Sequence, residues 1–247
     1  MQEKHASALE ILLVATLFPV QSIWYNLIGN LAALEKVNYQ RFVELPGHFH
    51  YPIFPILSFF YMFDWIYPVI LYIYAVIKLW PDYLKFRRIY IGFLVLLLVN
   101  FTIWLIIPNQ DTHRIPTEIL LTYGWIGKAT LFVYQAASIW NSFPSFHVGA
   151  TWFCFRLLQI YIKKLHWVAF LVVILTMITV LAIRVHQILD LVGGVLIAEL
   201  VIQTVLKPLE KRNAFSKGSH LFWCSLYVGI FVVAMGLRFI LVDWLAV

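Results

Sequence analysis

The residues with the clearest chemical potential form two short polar groups in an otherwise apolar chain. The hexapeptide 142–147, SFPSFH, brings hydroxyls and an imidazole to the start of one hydrophobic block. Arg184, His186 and Asp190 bring a guanidinium, a second imidazole and a carboxylate to the start of another. Ionisable groups in such surroundings are costly, and they commonly mark functional sites. Their types suggest a site that binds and transfers phosphate.

The composition indicates a membrane protein. Of 247 residues, 62% are hydrophobic and 12% are charged, whereas soluble domains average about 45–50% apolar and roughly 25% charged residues. The net charge of +6 comes from basic residues in short loops between apolar blocks, which indicates orientation in a bilayer and not nucleic-acid binding. We expect a single all-α integral membrane domain over residues 1–247. Cys154 and Cys224 lie in apolar blocks and are interpreted as buried thiols.

Seven apolar blocks have about the length needed to cross a bilayer as helices. They lie at 8–27, within 56–80, and at 89–107, 146–162, 167–183, 187–206 and 221–246. We therefore expect a polytopic transmembrane helix bundle with about seven spans. The stretch 117–140 is apolar too, but Gly124 interrupts it and Glu118 and Lys128 are charged. We predict two short amphipathic helices there, lying in the membrane interface.

The loop charges predict the orientation of the spans. Basic residues follow the second, fourth and sixth blocks: Lys85, Arg87 and Arg88; Lys163 and Lys164; Lys207, Lys211, Arg212 and Lys217. Alternating spans place all three groups on one face, which the positive-inside rule makes cytoplasmic. His147 and His186 then open their blocks from the opposite face. We expect one site near the extracytoplasmic surface, facing the periplasm, a lumen or the cell exterior.

His186 and Asp190 are four residues apart, so on a helix they would share a face and touch. A carboxylate bonded to a histidine fixes its tautomer and stabilises positive charge on the ring. The other ring nitrogen then becomes a good nucleophile. The alternative is a structural polar pair at a helix end.

The hexapeptide 142–147 has the features of a helix start that could bind an anion. Proline suits the first turn of a helix, whose unpaired N–H groups point outward. Ser145 adds a hydroxyl, and His147 is placed to give a proton to a leaving oxygen. Arg184, in a turn between blocks, has a planar fork that fits phosphate oxygens. The alternatives are a simple capped helix, an interfacial histidine and a snorkelling arginine.

These residues carry a family resemblance over 108–206. SFPSFH resembles the second signature of the type 2 phosphatidic acid phosphatase superfamily, Pro-Ser-x-His. Arg184-Val185-His186-x-x-x-Asp190 resembles the third signature, which ends in His-x-x-x-Asp. The resemblance implies a six-helix phosphatase-like core that needs no metal and no other cofactor.

The resemblance also implies roles for individual residues. His186 would be the nucleophile that forms a phosphohistidine, and Asp190 would orient it. His147 would protonate the leaving group and then activate water. Ser145, Arg184 and backbone N–H groups would hold the phosphoryl oxygens.

The chain departs from the family pattern in two places. The usual third signature has an arginine six residues before the histidine, where this chain has Val180. A basic residue two before the histidine, here Arg184, is similar to the branch that contains inositol phosphorylceramide synthases and related bacterial proteins. The first signature, Lys followed seven residues later by Arg-Pro, is missing. Arg114 is the predicted substitute as phosphate ligand and His113 is a second candidate, with ordinary loop residues as the alternative.

Two further charged residues are predicted to pair away from the site. Glu199 follows Asp190 by nine residues, which places it on the opposite face of the helix. Glu199 and Arg156 each lie several residues from the inner end of their own apolar block. Because lone charges at that depth are costly, we predict that Arg156 and Glu199 form an ion pair inside the bundle.

We therefore expect a metal-independent lipid phosphatase. His48 and His50 are interpreted as loop residues and not as metal ligands. A phosphotransferase that passes the phosphoryl or phospho-head group to an acceptor hydroxyl is the first alternative. A proton-coupled transporter, with His147, His186 and Asp190 as relay groups, is the second. The expected partners are the bilayer and a phospholipid, polyprenyl phosphate or sphingolipid phosphate. The sequence leaves the lipid and the oligomeric state open.

Overall fold

The regular structure in the described part of the chain is helical. A computed structural model describes residues 21–29, 53–64, 66–79, 82–106, 114–139 and 141–207. After a helical stretch at 21–29, the helices are α1 Ser58–Asp64, α2 Ile66–Leu79, α3 Tyr83–Ile106, α4 Thr117–Leu121, α5 Gly124–Ala136, α6 Phe146–Tyr161, α7 His166–Ala182 and α8 Ile188–Val201. Short 3-10 turns lie at Pro55–Leu57 and Lys163–Leu165, and a π-helical turn at Ile202–Leu206 continues α8. The predicted all-α fold is confirmed.

Four helical stretches among the described residues are long and apolar enough to cross a membrane. They are Pro55–Ala75, Lys85–Trp104, Lys163–Ala182 and Ile188–Leu206. These stretches coincide with the second, third, fifth and sixth predicted spans. Of the first predicted span only residues 21–27 are described, and they are helical. The seventh, 221–246, lies outside the described residues.

The second predicted span is helical over Ser58–Asp64 and Ile66–Leu79, and it includes the long apolar stretch Pro55–Ala75. Pro68 lies within it. Proline removes one backbone donor from a helix, and its ring crowds the carbonyl four residues earlier.

Helix α6 occupies the centre of the bundle. Eleven of its 16 residues are buried, and it packs mainly against α7 and α8. Its core contacts include Phe93 of α3, whose ring meets those of Phe146 and Phe153 edge to face. Because protein surrounds α6, tight packing and backbone hydrogen bonds stabilise it, not contact with lipid.

Helices α4 and α5 correspond to the two short helices predicted in 117–140. Gly124, at the break, has φ +59°, a left-handed conformation that glycine adopts without strain. Helix α5 is fixed to α1 by a 2.6 Å hydrogen bond between the hydroxyls of Ser58 and Thr130. The Phe59 ring also lies 5.5 Å from the ring of Trp125. The prediction of two helices is confirmed, and their contact with α1 places them beside the polar residues described next.

Helix α3 begins at an acidic cap on the basic side of the bundle. Oδ1 of Asp82 accepts the backbone N–H of Lys85 at 3.2 Å, and Oδ2 lies 2.7 Å from Lys85 Nζ. Partial burial raises the pKa of Asp82, but the hydrogen bonds of Lys85 and the charges of Lys85 and Arg88 outweigh it, so the pKa is lowered overall. The carboxylate therefore stays ionised and satisfies a backbone donor that the helix start leaves open.

Candidate active site

The start of α6 lies directly against the start of α8. Ser145 is the N-cap of α6, and its Oγ accepts the backbone N–H of Val148 at 3.5 Å. The backbone N–H of Ser145 donates to the carbonyl oxygen of Asp190 at 2.9 Å. Ser145 thus stands one position before the helix and not within its first turn. The capping oxygen is also a hydroxyl, which keeps a proton to donate.

Glycine allows the backbones of α6 and α8 to approach this closely. A Cβ atom added to Gly194 would collide with the carbonyl oxygen of Ser145. A Cβ on Gly149 would lie 3.2 Å from the carbonyl oxygen of Gly194. The contact between the two helices therefore needs a residue without a side chain at position 194, and it brings the two polar groups of the sequence to one place.

His186 and Asp190 form the contact that their spacing predicts. His186 Nδ1 lies 3.3 Å from Asp190 Oδ2, and both side chains are at least nine-tenths buried. The same Oδ2 accepts the backbone N–H of Gln187 at 2.9 Å, as part of a capping box at the start of α8. A carboxylate accepts, so Nδ1 carries the proton and Nε2 presents a lone pair. His186 itself lies before the first residue of α8. The contact between His186 and Asp190 therefore depends on the capping geometry at the start of α8, and not on a face that the two residues share on one helix.

His147 lies beside this pair. The centroids of the His147 and His186 rings are 6.0 Å apart, with 60° between their planes. The structure thus brings together Ser145, His147, His186 and Asp190 from two sequence groups.

Tyr61 of α1 also belongs to the site, although no motif or spacing in the sequence selects it. Its hydroxyl lies 3.2 Å from His147 Nε2. Its ring stacks on the imidazole at a centroid distance of 4.8 Å. Tyr61 is 86 positions away from His147 and lies in a run of aromatic residues, so spacing could not identify it.

Arg184 occupies an unusual backbone position. It has φ +55°, which is rare for a residue with a side chain. It follows the end of α7, where the N–H of Arg184 donates to Leu181 O at 3.0 Å and that of Val185 donates to Val180 O at 3.1 Å. This is a Schellman motif, in which the left-handed position is normally glycine. An arginine that tolerates this strain is a candidate for function.

Val180 stands where the family pattern has its arginine, and it is a packing residue here. It is fully buried in a small apolar cluster beneath the site. That cluster also contains Tyr61, Val133, Val148, Ile183, Val185 and Leu191. Any guanidinium from this turn must therefore come from Arg184.

Arg114 contacts the end of α5. Its Nη1 donates to Tyr134 O at 2.6 Å and its Nη2 to Ala137 O at 2.8 Å. The guanidinium also lies over the Tyr134 ring, 4.9 Å from its centroid. The hydroxyl of Tyr134 donates in turn to Ile183 O, next to Arg184. The phosphate-binding role of Arg114 stays a prediction, and His113 lies outside the described residues.

Arg156 and Glu199 form the predicted ion pair. Arg156 Nη2 lies 3.0 Å from Glu199 Oε1, and Trp152 Nε1 donates to Glu199 Oε2 at 3.1 Å. Both charges are thereby satisfied by side-chain partners. Among the residues that the structure describes, no group of three or more His, Cys, Asp or Glu side chains could hold a metal ion; His48 and His50 lie outside them. The thiol of Cys154 is buried and donates to Pro68 O at 3.5 Å, whereas Cys224 lies outside the described residues.

Comparison with known proteins identifies the family. Residues 32–204, more than half of the chain, match the PAP2 superfamily. The comparisons with curated proteins and with solved structures returned no match. The family and the four apolar helices make this an integral membrane protein and support a phosphatase-type activity on lipid phosphates in general. The chain belongs to the PAP2 superfamily.

Proposed function

We propose that this protein removes phosphate from a lipid phosphate or diphosphate through a phosphohistidine on His186. The observation that carries the proposal is the 3.3 Å contact between His186 Nδ1 and Asp190 Oδ2, with the His147 ring 6.0 Å from that of His186. The contact with Asp190 makes His186 a nucleophile whose lone pair has a fixed direction. His147 supplies a proton donor next to it.

In the first step the lone pair of His186 Nε2 forms a bond to phosphorus. The bond between phosphorus and the lipid oxygen breaks, and its electron pair stays on that oxygen. His147, as imidazolium, gives its proton to the oxygen, so a neutral alcohol leaves. Asp190 stabilises the positive charge that develops on His186.

In the second step water replaces the lipid. Neutral His147 takes a proton from a water molecule, whose oxygen bonds to phosphorus while the bond to His186 Nε2 breaks. The electron pair returns to His186, inorganic phosphate leaves, and His147 is again an imidazolium. One histidine thus serves as acid and then as base, which general acid–base catalysis permits when the ring keeps its place.

The phosphoryl oxygens need donors that do not have to reorganise. The hydroxyl of Ser145, the N–H groups in the first turn of α6 and the guanidinium of Arg184 are proposed for this role, with Arg114 as a further candidate. The helix start adds the positive end of its dipole. Such donors stabilise the charge of the transition state. Because they are already in place, little free energy is spent on reorganising them during the reaction.

The site is proposed to face the periplasm, a lumen or the cell exterior. The basic residues after the second, fourth and sixth blocks favour this orientation. The whole chain, 1–247, is proposed as one membrane domain in which 108–206 carries the catalytic signatures. The lipid would reach the site from the outer leaflet.

Transfer to an acceptor other than water is a second candidate, and the position of Arg184 favours it. The spacing of an arginine two residues before the nucleophile is similar to that in the branch that contains inositol phosphorylceramide synthases. In that reaction an alcohol takes the place of water in the second step. The candidate substrates are a diacylglycerol phosphate, a polyprenyl phosphate or diphosphate, a ceramide or sphingoid head group, and lipid A.

The test is a screen of these lipids with purified protein in detergent, with and without acceptor alcohols, following free phosphate and new phosphorylated lipids. His186→Ala should abolish both products, and His166→Ala serves as control because His166 begins α7 at the opposite end from Arg184. Activity that is unchanged in His186→Ala would overturn the proposal. Proton transport without any phosphate release would favour the transporter.

A further inference from the structure

Helix α1 connects the α4–α5 pair to the site. Ser58 bonds Thr130 of α5 at 2.6 Å, and Tyr61 lies 3.2 Å from His147 Nε2. Ser58 and Tyr61 are three positions apart, so they project from the same face of α1. Ser58, Tyr61 and His147 are all at least nine-tenths buried. The position of Tyr61 is therefore set by packing on both sides.

The contact between Tyr61 and His147 has two parts. The hydroxyl makes a hydrogen bond with one ring nitrogen, and the ring lies nearly parallel to the imidazole, with 22° between the planes. Stacking limits tilting of the imidazole, while the hydrogen bond limits its rotation about the Cβ–Cγ bond. Together they restrict the ring to one orientation.

A tyrosine hydroxyl suits a histidine that gains and loses a proton on its other ring nitrogen. Tyr61 accepts from Nε2–H when the ring is an imidazolium and also when Nδ1 has given up its proton, because Nε2 keeps its hydrogen in both states. The proton given to the leaving oxygen and taken from water is then the one on Nδ1, and Tyr61 keeps its hydrogen bond throughout. A carboxylate in the same place would favour the charged ring and hinder the step in which His147 gives up its proton.

We propose that Tyr61 is a positioning residue that holds the imidazole of His147 in place through both proton transfers. The inference rests on the proposed function, since it needs His147 as acid and base. It adds a residue outside the three family signatures. It also makes the α4–α5 pair, through Ser58 and Thr130, part of the support of the proton donor.

Tyr61→Phe tests the proposal because it keeps the ring and removes only the hydroxyl. Tyr123→Phe is the matched control, since Tyr123 is exposed in the turn before α5. The first step is measured in single turnovers with a lipid phosphate, whose alcohol needs a proton to leave, and with p-nitrophenyl phosphate, whose phenolate leaves without one. We expect Tyr61→Phe to slow the lipid reaction about 10- to 100-fold and the nitrophenol burst by no more than about 3-fold.

An equal loss on both substrates would assign Tyr61 to folding alone, and no loss on either would remove it from the mechanism. Both results overturn the proposal. Tyr123→Phe should leave both rates unchanged.

A second measurement does not depend on activity. The ¹⁵N NMR signal of His147 Nε2, assigned by its absence in His147→Gln, should shift in Tyr61→Phe and not in Tyr123→Phe. An unchanged signal in Tyr61→Phe would overturn the inference about Tyr61. If wild-type protein releases no phosphate and forms no phosphohistidine, the proposed function fails instead, whatever the NMR signal shows.

Discussion

Asp190 holds both His186 and the start of α8 with a single carboxylate oxygen. Oδ2 lies 3.3 Å from His186 Nδ1 and accepts the N–H of Gln187 at 2.9 Å. The residue that orients the proposed nucleophile is thus itself fixed by a helix cap. Because the cap belongs to the backbone of α8, the direction of the imidazole depends on the position of that helix.

Asp190→Asn should remove the function of this pair with little change in shape. If the amide N–H₂ takes the place of Oδ2, Gln187 loses its acceptor and His186 favours the tautomer with its proton on Nε2, which then has no lone pair. If the amide oxygen takes that place, it lacks the charge that stabilises a positive ring. We expect phosphate release to fall on the order of 10³-fold. The measurement is steady-state phosphate release, with thermal unfolding as the control for integrity. A loss below about 3-fold in a stable variant would mean that Asp190 does not set the tautomer.

Arg184 offers a test that separates backbone strain from side-chain function. Arg184→Gly and Arg184→Ala both remove the guanidinium, but only glycine relieves the positive φ of +55°. The glycine variant should be more stable than the alanine variant by about 1 kcal/mol. Both should lose on the order of 100-fold in activity, as when one donor to a developing charge is removed.

Unfolding in detergent and phosphate release measure the two effects of these substitutions. Equal stability of the two variants would deny that the turn is strained. Full activity of Arg184→Gly would exclude the guanidinium from the site.

Gly194→Ala should disturb the helix contact on which the site depends. The added methyl meets the carbonyl oxygen of Ser145, which is backbone and cannot rotate away. We expect a loss of about 1–3 kcal/mol in stability, together with reduced activity. Leu196→Ala, on an exposed face of the same helix, is the control and should keep full activity. Wild-type stability in Gly194→Ala would show that α6 and α8 can separate without cost.

The orientation can be tested by labelling single cysteines in a variant whose native cysteines are replaced by serine. Glu118 and Lys164 are exposed positions in α4 and in the turn before α7. In intact cells, a membrane-impermeant maleimide should label Glu118→Cys at once and Lys164→Cys only after permeabilisation. The reverse pattern would place the site on the cytoplasmic face.

The sequence predicted the part of the site that lies close together along the chain, because the pairing of His186 with Asp190 followed from a four-residue spacing. Away from the site, the Arg156–Glu199 pair followed from the cost of burying lone charges.

Tyr61 could not be predicted by such reasoning. Its contact with His147 depends on how α1 packs against α5 and α7, and no local pattern records that packing. Arg114 shows the same limit in another way. Its place after an apolar block suggested a phosphate ligand, whereas the structure gives two of its donors to carbonyls at the end of α5.

In the proposed first step phosphate becomes bound to His186, and rapid-quench labelling detects this intermediate. Protein is mixed with a lipid carrying ³²P in the phosphate, stopped in alkali, and the labelled peptide is identified by mass spectrometry. We expect an acid-labile phosphate on His186 that is absent in His186→Ala and accumulates when His147→Ala reacts with p-nitrophenyl phosphate. Phosphate release without a labelled His186, or a label that persists in His186→Ala, would contradict it.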